Sequence, residues 1–287
     1  MSKQNNETFG PWREFWSKFV KNRLALVGLV VFVFLVFVAI FADFIAPYGI
    51  DDQNLKVAFQ APSNEFILGT DNFGRDIFSR IVYGSRISLI VGVISVGIAL
   101  VVGSSIGIVA GFIGGLIDTI LMRIIDLLMS IPSILMAISI VAALGPSLRN
   151  VMIAVGISSI PSYARLTRSV VLSLKELQFI EAARAMGTGS FSVIVRHIVP
   201  NSLAPIIVQA TMGVAGAILS AAGLGFIGLG IQPPTPEWGA MLNAGRHYIR
   251  DFPHMITFPG IAIMITIFSL NLLGDGLRDA LDPKLSE

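Results

Sequence analysis

The sequence predicts an all-α membrane protein that crosses the bilayer several times. Of its 287 residues, 54% are hydrophobic and only 13% are charged, and the mean hydropathy of +0.79 lies far above the range of soluble domains. Six separate apolar stretches are each long enough to span a bilayer, which takes about 20 helical residues. We therefore predict a polytopic protein with six transmembrane helices, an N-terminal amphipathic helix and one short helical segment in the cytosol.

The first apolar run, residues 24–45, is too long for a signal-peptide core of about 7 to 15 residues, so we interpret it as a retained helix. Residues 1–23 place aromatic side chains at helical spacing among basic ones: Phe9, Trp12, Phe15, Trp16 and Phe19. This pattern fits a helix on an anionic membrane surface, or equally an aromatic anchor for the first span. The other spans are expected at residues 87–112, 116–144, 151–171, 203–229 and 255–273.

These spans divide the chain into a cytosolic N-terminal segment (1–23), a first span with an external segment (24–86), a transmembrane core domain (87–280) and a cytosolic tail (281–287). Six spans put both termini on one side. With a cytosolic N-terminus, thirteen of the 20 Lys and Arg residues are cytosolic and seven are external. The excess of positive charge inside favours this orientation.

Small residues recur at every fourth position in two of the spans. The rows are Gly103, Gly107, Gly111 and Gly115 in the second span, and Gly213, Ala217, Ala221 and Gly225 in the fifth. Because small residues on one helix face let a neighbouring backbone approach closely, we predict that both rows are packing seams within the chain.

Three other features bear on the third and fourth spans. Pro132 and Pro161 each lack a backbone donor, which predicts a kink or a break in both spans. Asp118, Arg123 and Asp126 are costly to hold in lipid. Arg123 and Asp126 lie three residues apart, so we favour a structural ion pair between them over a role in the translocation path.

Several kinds of chemistry are absent from the sequence. The chain has no cysteine, which excludes disulfides and thiol catalysis, and its net charge of +2 gives no reason to expect nucleic-acid binding. No stretch matches the Gly-x-x-x-x-Gly-Lys-Ser/Thr phosphate loop, so ATP hydrolysis would need a separate subunit. His197, His247 and His254 have no metal-ligand spacing, so we expect no metal site.

One motif is misleading. Residues 103–107 match the Gly-x-Ser-x-Gly nucleophile elbow of serine hydrolases, with Ser105 as the nucleophile. An elbow needs a strand-to-helix turn, whereas this match lies inside a continuous apolar span. We therefore reject a hydrolase.

Residues 181–201, which we name the EAA segment, separate the fourth and fifth spans. They read Glu-Ala-Ala-Arg-Ala-Met-Gly, nine residues, then His-Ile-Val-Pro-Asn. The composition predicts a short helix ended by a glycine at positive φ, a second amphipathic helix, and a proline that opens the next span. Charged Glu181, Arg184 and Arg196 suit docking into a groove of a soluble partner, as do three apolar side chains. Composition alone favours a solvated cytosolic loop. The three apolar residues are Phe191, Val193 and Ile194.

The EAA segment resembles the EAA loop of bacterial ABC importer permeases: Glu-Ala-Ala, three residues, Gly, nine residues, Ile, one residue, Leu-Pro. The matching positions are Glu181, Ala182, Ala183, Gly187 and Pro200. His197 departs, since it stands where the general pattern has Ile. In the peptide-transport branch an Arg-His-Ile-Leu/Val-Pro-Asn string is usual, and the residues from Arg196 to Asn201 fit that string.

The rest of the chain resembles the second ("C"-type) permeases of the dipeptide/oligopeptide and nickel importer family. The similar stretches are residues 22–28, 68–71, 74–76, 79–80, 84–86, 228–234, 236–239, 271–275 and 277–279. The resemblance implies a type I ABC importer permease fold in a bacterial inner or plasma membrane. It also implies four partners, namely a homologous permease, two ATPase subunits and an extracytoplasmic substrate-binding protein, so that ATP and Mg would be held outside this chain, which has no cofactor.

The resemblance also suggests roles for individual residues. In the EAA segment, the matching residues together with Arg196 and His197 would couple the chain to an ATPase. At the external side we name candidates for a gate or for contacts with the binding protein, although a purely structural role is as plausible: Asp71, Arg75, Asp76, Gln232, Pro233, Glu237 and Trp238. The cargo would be a dipeptide or oligopeptide, with nickel, glutathione or another small solute as the alternative. A secondary transporter, which should show inverted repeats, and a channel are further alternatives.

Overall fold

The computed structural model describes residues 11–281, which form α-helices joined by turns and no β-sheet. This confirms the all-α prediction. The helices are α1 (Pro11–Lys21), α2 (Arg23–Ile40), α3 (Ala42–Ile45), α4 (Ile77–Ile113), α5 (Gly115–Met129), α6 (Ser133–Leu144), α7 (Leu148–Lys175), α8 (Gln178–Ala185), α9 (Ser190–Val193), α10 (Val199–Phe226), α11 (Trp238–Gly245) and α12 (His254–Leu281).

Four helical stretches among the described residues are long and apolar enough to cross a membrane: Arg23–Ile40, Ile77–Ile113, Ser190–Phe226 and His254–Leu281. The pair α5 and α6 makes a fifth if it is one broken span, because the two helices meet at 86°. Helix α7 is 28 residues long but carries four basic residues, and it is not among these stretches. The predicted number of six spans therefore stays a prediction.

The two prolines behave differently. The chain bends between Met129 and Ser133, next to Pro132, which confirms the predicted break of the third span. Pro161 lies inside α7, which continues unbroken from Leu148 to Lys175. Its ring is buried, and a proline inside a membrane helix is tolerated where other groups satisfy the backbone carbonyl that it leaves free.

Helix α4 begins ten residues before the predicted span, at Ile77 instead of residue 87. Asp76 caps it by accepting a hydrogen bond from the Ser79 backbone N–H at 2.7 Å. Arg80 and Arg86 interrupt the apolar run near the start of the helix, so hydropathy alone did not predict where the helix begins. The domain boundary that we placed between residues 86 and 87 therefore falls inside a helix.

The first row of small residues is a packing seam between α4 and α7, as predicted. A Cβ added at Gly107 would lie 2.5 Å from the Ala164 carbonyl oxygen, and Gly103 and Gly111 meet the same helix. Gly115 is the exception, since it opens α5 and faces open space. Ser105 lies in the same helix and donates its hydroxyl hydrogen to the Val101 carbonyl oxygen, so the structure has no nucleophile elbow there.

The second row also packs within the chain. Gly213 faces the Tyr163 hydroxyl of α7, while Ala217 and Ala221 are buried. A Cβ at Gly225 would lie 2.6 Å from the Glu237 carboxylate, so this end of α10 packs on α11. Both rows are therefore seams within one chain, as predicted.

The N-terminal helix packs on the end of α12. Phe19 is buried against Ala25, Leu273 and Ala280, whereas Trp16 is more than half exposed. Helix α1 thus packs on the bundle with one face, as an anchor for the first span would. Its other face exposes an aromatic side chain, as a helix on a membrane surface would. Phe9 and the predicted tail beyond Leu281 lie outside the described residues.

The helices define two ends of the bundle. The EAA end contains the EAA segment, the start of α2 and the end of α12, and there the Asn22 side-chain amide donates to Asp279 at 3.1 Å. At the opposite end lie residues 41–76 and α11, and the Arg86 guanidinium donates to the Ala39 carbonyl oxygen at 2.8 Å. The predicted functional residues therefore fall into two groups, one at each end.

Candidate functional site

Helix α8 ends as the sequence predicts. Gly187 has φ of +80°, in the left-handed region that favours glycine. Its N–H donates to the Arg184 carbonyl oxygen at 2.9 Å, and the Thr188 N–H donates to the Ala183 carbonyl oxygen at 3.1 Å. This pair of hydrogen bonds is the Schellman ending of a helix, which turns the chain sharply towards α9.

The second half of the EAA segment runs into a membrane span without a loop. Helix α9 is followed by a π-helical turn, Ile194–Ile198, and then directly by α10, with Pro200 in its first turn. The predicted helix-turn-helix is therefore present. Short π-helical stretches are rare, and they occur frequently at functional sites.

One face of the EAA segment packs onto the bundle. Its buried side chains form a small core with those of α4 and α7: Ile180, Ala183, Val193, Ile198, Phe112 and Val171. Our expectation that Val193 is available for docking is therefore wrong, because its side chain is fully buried in the chain's own core. Ile194 is partly buried against the same core.

The other face of the EAA segment is exposed. Glu181 and Ala182 of the predicted motif lie on it, as do Arg196 and Pro200. The two most exposed large apolar side chains of the segment, at 79% and 80%, are Met186 and Phe191. We did not single out Met186 from the sequence, although its place just before the turning glycine indicates that it cannot pack inward.

His197 lies between the two helices of the segment. Its ring is partly buried, and its centre is 6.2 Å from the ring centre of Phe179 in α8. Arg184 reaches back to the bundle, with its guanidinium 4.8 Å from the centre of the Phe112 ring. Both side chains thus help to hold α8 in place. His197, which replaces the Ile of the general EAA pattern, does so through its contact with Phe179.

Two ion pairs join α5 to α7 within the bundle. Asp118 accepts from Arg168 at 2.5 and 2.6 Å, and Asp126 accepts from Arg165 at 2.6 Å. The predicted pair of Asp126 with Arg123 is wrong, because α7 supplies a better-placed partner. These pairs neutralise the acidic side chains of α5 and tie the broken span to its neighbour.

At the opposite end, three predicted contact residues are buried. Asp71 accepts hydrogen bonds from the Arg75 backbone and, at 2.6 Å, from the Arg75 side chain, and it lies 3.8 Å from Arg80. Asp71, Arg75 and Asp76 are 3–6% exposed. Asp71 and Arg75 thus tie residues 41–76 to α4, and a contact of these residues with a partner stays a prediction.

The loop at residues 232–239 contains four of the predicted contact residues, and two of them are buried. Glu237 is 3% exposed and caps α11 by accepting from the Gly239 and Ala240 N–H groups, both at 2.8 Å. Trp238 is fully buried, and its Nε1–H donates to the Ile81 carbonyl oxygen at 3.1 Å. Of the predicted contact residues in this loop, only Gln232 and Pro233 are exposed.

Glu237 gives a testable pH dependence. Burial raises the pKa of this carboxyl group, against the opposing effect of its two backbone N–H donors. Because the folded state holds the proton more tightly than the unfolded state does, stability should fall as the pH rises above the ordinary value of 4.5. Melting curves of the purified chain at a series of pH values should show this fall, and Glu237→Gln should reduce it. Parallel pH profiles for the two proteins would contradict the assignment.

Comparison with known proteins identifies the family. Residues 103–287 match the sequence model described as binding-protein-dependent transport system inner membrane component. Residues 10–62 match the N-terminal TM domain of oligopeptide transport permease C. The chain belongs to the binding-protein-dependent permeases of ABC importers.

Curated relatives agree over nearly the whole chain. The dipeptide transport system permease protein DppC of Alkalihalophilus pseudofirmus is 51% identical, over 96% of this chain and 90% of that protein. The glutathione transport system permease protein GsiD of Pectobacterium atrosepticum is 46% identical, over 96% and 92%. The di/tripeptide permease DppC of Pseudomonas aeruginosa is 44% identical, over 96% and 93%.

The fold has a solved counterpart. A chain of the inward-facing MetNI methionine ABC transporter matches with a TM-score of 0.58 and 19% identity, covering 71% of this permease and 96% of that chain. This likeness supports the predicted type I importer permease fold. The permease is thus a multi-pass transport subunit and not an enzyme, and permeases of this family work with ATPase and binding-protein partners.

Proposed function

We propose that the permease pairs with a homologous permease to form a path for dipeptides or oligopeptides, which a binding protein delivers and two ATPase subunits drive. The observation that carries this proposal is the EAA segment. One of its faces is packed on the bundle, the other exposes Met186 and Phe191, and the segment continues directly into α10. Such a segment can dock on a partner and transmit the partner's movement.

The EAA end would face the cytosol. Basic residues at the ends of the spans support this orientation, since Arg23, Lys175 and Arg278 lie at the EAA end. The first described helix and the end of α12 are at the same end, so both termini would be cytosolic. Residues 41–76 and α11 would then face the binding protein.

The exposed face of the EAA segment would lie in a cleft of one ATPase subunit, with Glu181 and Ala182 at the contact. Closure of the ATPase subunits on ATP would move α8 together with its core residue Ile180, and would shift the spans between inward-open and outward-open states. ATP and Mg would be bound by the ATPase subunits, and this chain would hold no cofactor.

Peptide cargo is favoured because two of the relatives are named for dipeptides or di/tripeptides and the N-terminal region matches an oligopeptide permease. Glutathione is the second candidate, because the relative named for it is 46% identical. Nickel chelates and other small solutes are the remaining cargo candidates. At the external end, Gln232 and Pro233 are exposed and are the predicted residues free to contact the binding protein.

Reconstitution of the four-subunit membrane complex in nanodiscs would test the cargo. We expect binding protein loaded with a di- or oligopeptide to stimulate ATP hydrolysis several-fold, and glutathione or a nickel chelate to stimulate it less. Binding protein without cargo is the control. Equal stimulation by the loaded and the empty binding protein would contradict a peptide importer, and stimulation by the nickel chelate alone would reassign the cargo.

A further inference from the structure

A polar cleft opens at the end of the bundle opposite the EAA segment. It has a volume of about 410 Å³ and lies between the turn at residues 48–54 and the start of α4. Its lining includes the acidic side chains of Asp51, Asp52, Glu65 and Asp76. Three of these, Asp51, Asp52 and Glu65, are exposed to solvent at the mouth.

The cleft is strongly negative. No Lys or Arg of the described residues lines it, and none of its four carboxylates is in an ion pair within residues 11–281. The nearby cations Arg75 and Arg80 are buried and face Asp71, and of the cleft's carboxylates Asp51 is close enough to interact electrostatically with Arg80. Asp51, Asp52 and Glu65 at the mouth therefore give the cleft a negative potential, which attracts a cationic group.

Asp76 adds an independent observation. It is only 3% exposed, and its Oδ2 accepts from the Ser79 N–H at 2.7 Å and from the Ser79 hydroxyl at 2.6 Å. Its Oδ1 is buried and has no hydrogen-bond partner in the described part of the chain. A buried carboxylate oxygen without a donor is unfavourable, so the side chain that lines this cleft lacks one hydrogen bond.

We infer that this cleft binds the ammonium or guanidinium group of a Lys or Arg side chain on the binding protein. The inference rests on the proposed function, which places the cleft on the side where the binding protein docks. Among residues 11–281, no three Asp, Glu or His side chains are placed to hold a metal ion. Tyr48 and Phe66, which are stacked at 5.3 Å, line the cleft and offer an apolar wall to the stem of such a side chain.

The test compares two variants of the reconstituted complex. Asp51→Asn combined with Asp52→Asn removes two charges from the exposed mouth without touching the cap of α4. Asp251→Asn is the matched control, because Asp251 is an exposed carboxylate at the same end that does not line the cleft. The affinity and association rate for the binding protein are measured by surface plasmon resonance at low and high salt.

We expect the double variant to bind the binding protein roughly fivefold more weakly at low salt, mainly through slower association, and to depend less on salt than the wild type. Asp251→Asn should behave like the wild type. Unchanged affinity of the double variant would overturn the inference. If ATP hydrolysis at saturating loaded binding protein stays normal in that case, the proposed function survives and only the cleft assignment fails.

Free lysinamide provides the second arm of the experiment. In the wild type it should compete with the binding protein, and in the double variant it should have less effect. If lysinamide binds at the cleft while the affinity for the binding protein is the same in both proteins, then the cleft takes a free cation and the assignment to a side chain of the partner is wrong.

Discussion

Replacing Met186 and Phe191 with alanine is expected to weaken binding of the ATPase subunits by about 30-fold or more and to abolish most of the stimulated ATP hydrolysis. The two side chains are 79% and 80% exposed, so they contribute little to the fold of the chain. Large apolar side chains that enter a partner's pocket typically contribute about 2 kcal/mol or more each, which corresponds to about 30-fold in affinity. Titration of the permease pair with purified ATPase subunits measures the change.

Phe44→Ala is the matched control for this prediction. Phe44 is 87% exposed and lies at the opposite end of the bundle, so the same substitution there should leave ATPase binding unchanged. The melting temperatures of all three proteins should agree within a few degrees. Full ATPase affinity in the Met186→Ala/Phe191→Ala protein would show that the exposed face of the EAA segment is not the docking surface.

Gly107→Ala is expected to destabilise the permease by about 1 to 3 kcal/mol, which should lower its melting temperature by several degrees. The added Cβ would lie 2.5 Å from the Ala164 carbonyl oxygen and 2.8 Å from the Thr167 Cβ, so two helix backbones would have to separate. The measurement is the fraction of protein that remains monodisperse after heating, followed by size-exclusion chromatography.

Gly97 lies in the same helix, α4, but alanine is expected to be tolerated there. A Cβ at Gly97 has nothing within 4 Å, so Gly97→Ala should be neutral or should stabilise the chain by up to about 1 kcal/mol through better helix propensity. The two substitutions are chemically identical and differ only in what faces them. Equal melting temperatures for the two variants would contradict the assignment of a packing seam between α4 and α7.

Local features of the fold could be predicted well from the sequence. The break at Pro132, the positive φ at Gly187 and the seam at Gly107 follow from backbone chemistry that a single residue type imposes. The EAA segment could be located because a short motif of small and charged residues fixes its position. In each case the decisive interaction is close in sequence or depends only on the size of a residue.

Contacts between distant elements could not be predicted. Asp126 pairs with Arg165, 39 residues away, and no spacing rule identifies that partner. Glu237 and Trp238 were candidates for a gate or for contacts with the binding protein, and the sequence could not show that one caps α11 and the other packs beside α4. Val193 and Phe191 are two residues apart, and only the tertiary packing decides which one points inward.

The unbroken helical run from Ser190 to Phe226 has a mechanical consequence. Its 37 residues span about 55 Å at 1.5 Å per residue. A stiff rod of that length that tilts by about 5° moves its far tip by about 5 Å, close to the rise of one helical turn. Gly225 at that tip packs directly on Glu237 and Ala240. If the ATPase subunits imposed a small rotation on the run at one membrane surface, these contacts would be displaced at the other surface by a distance large enough to open or close a passage for a peptide.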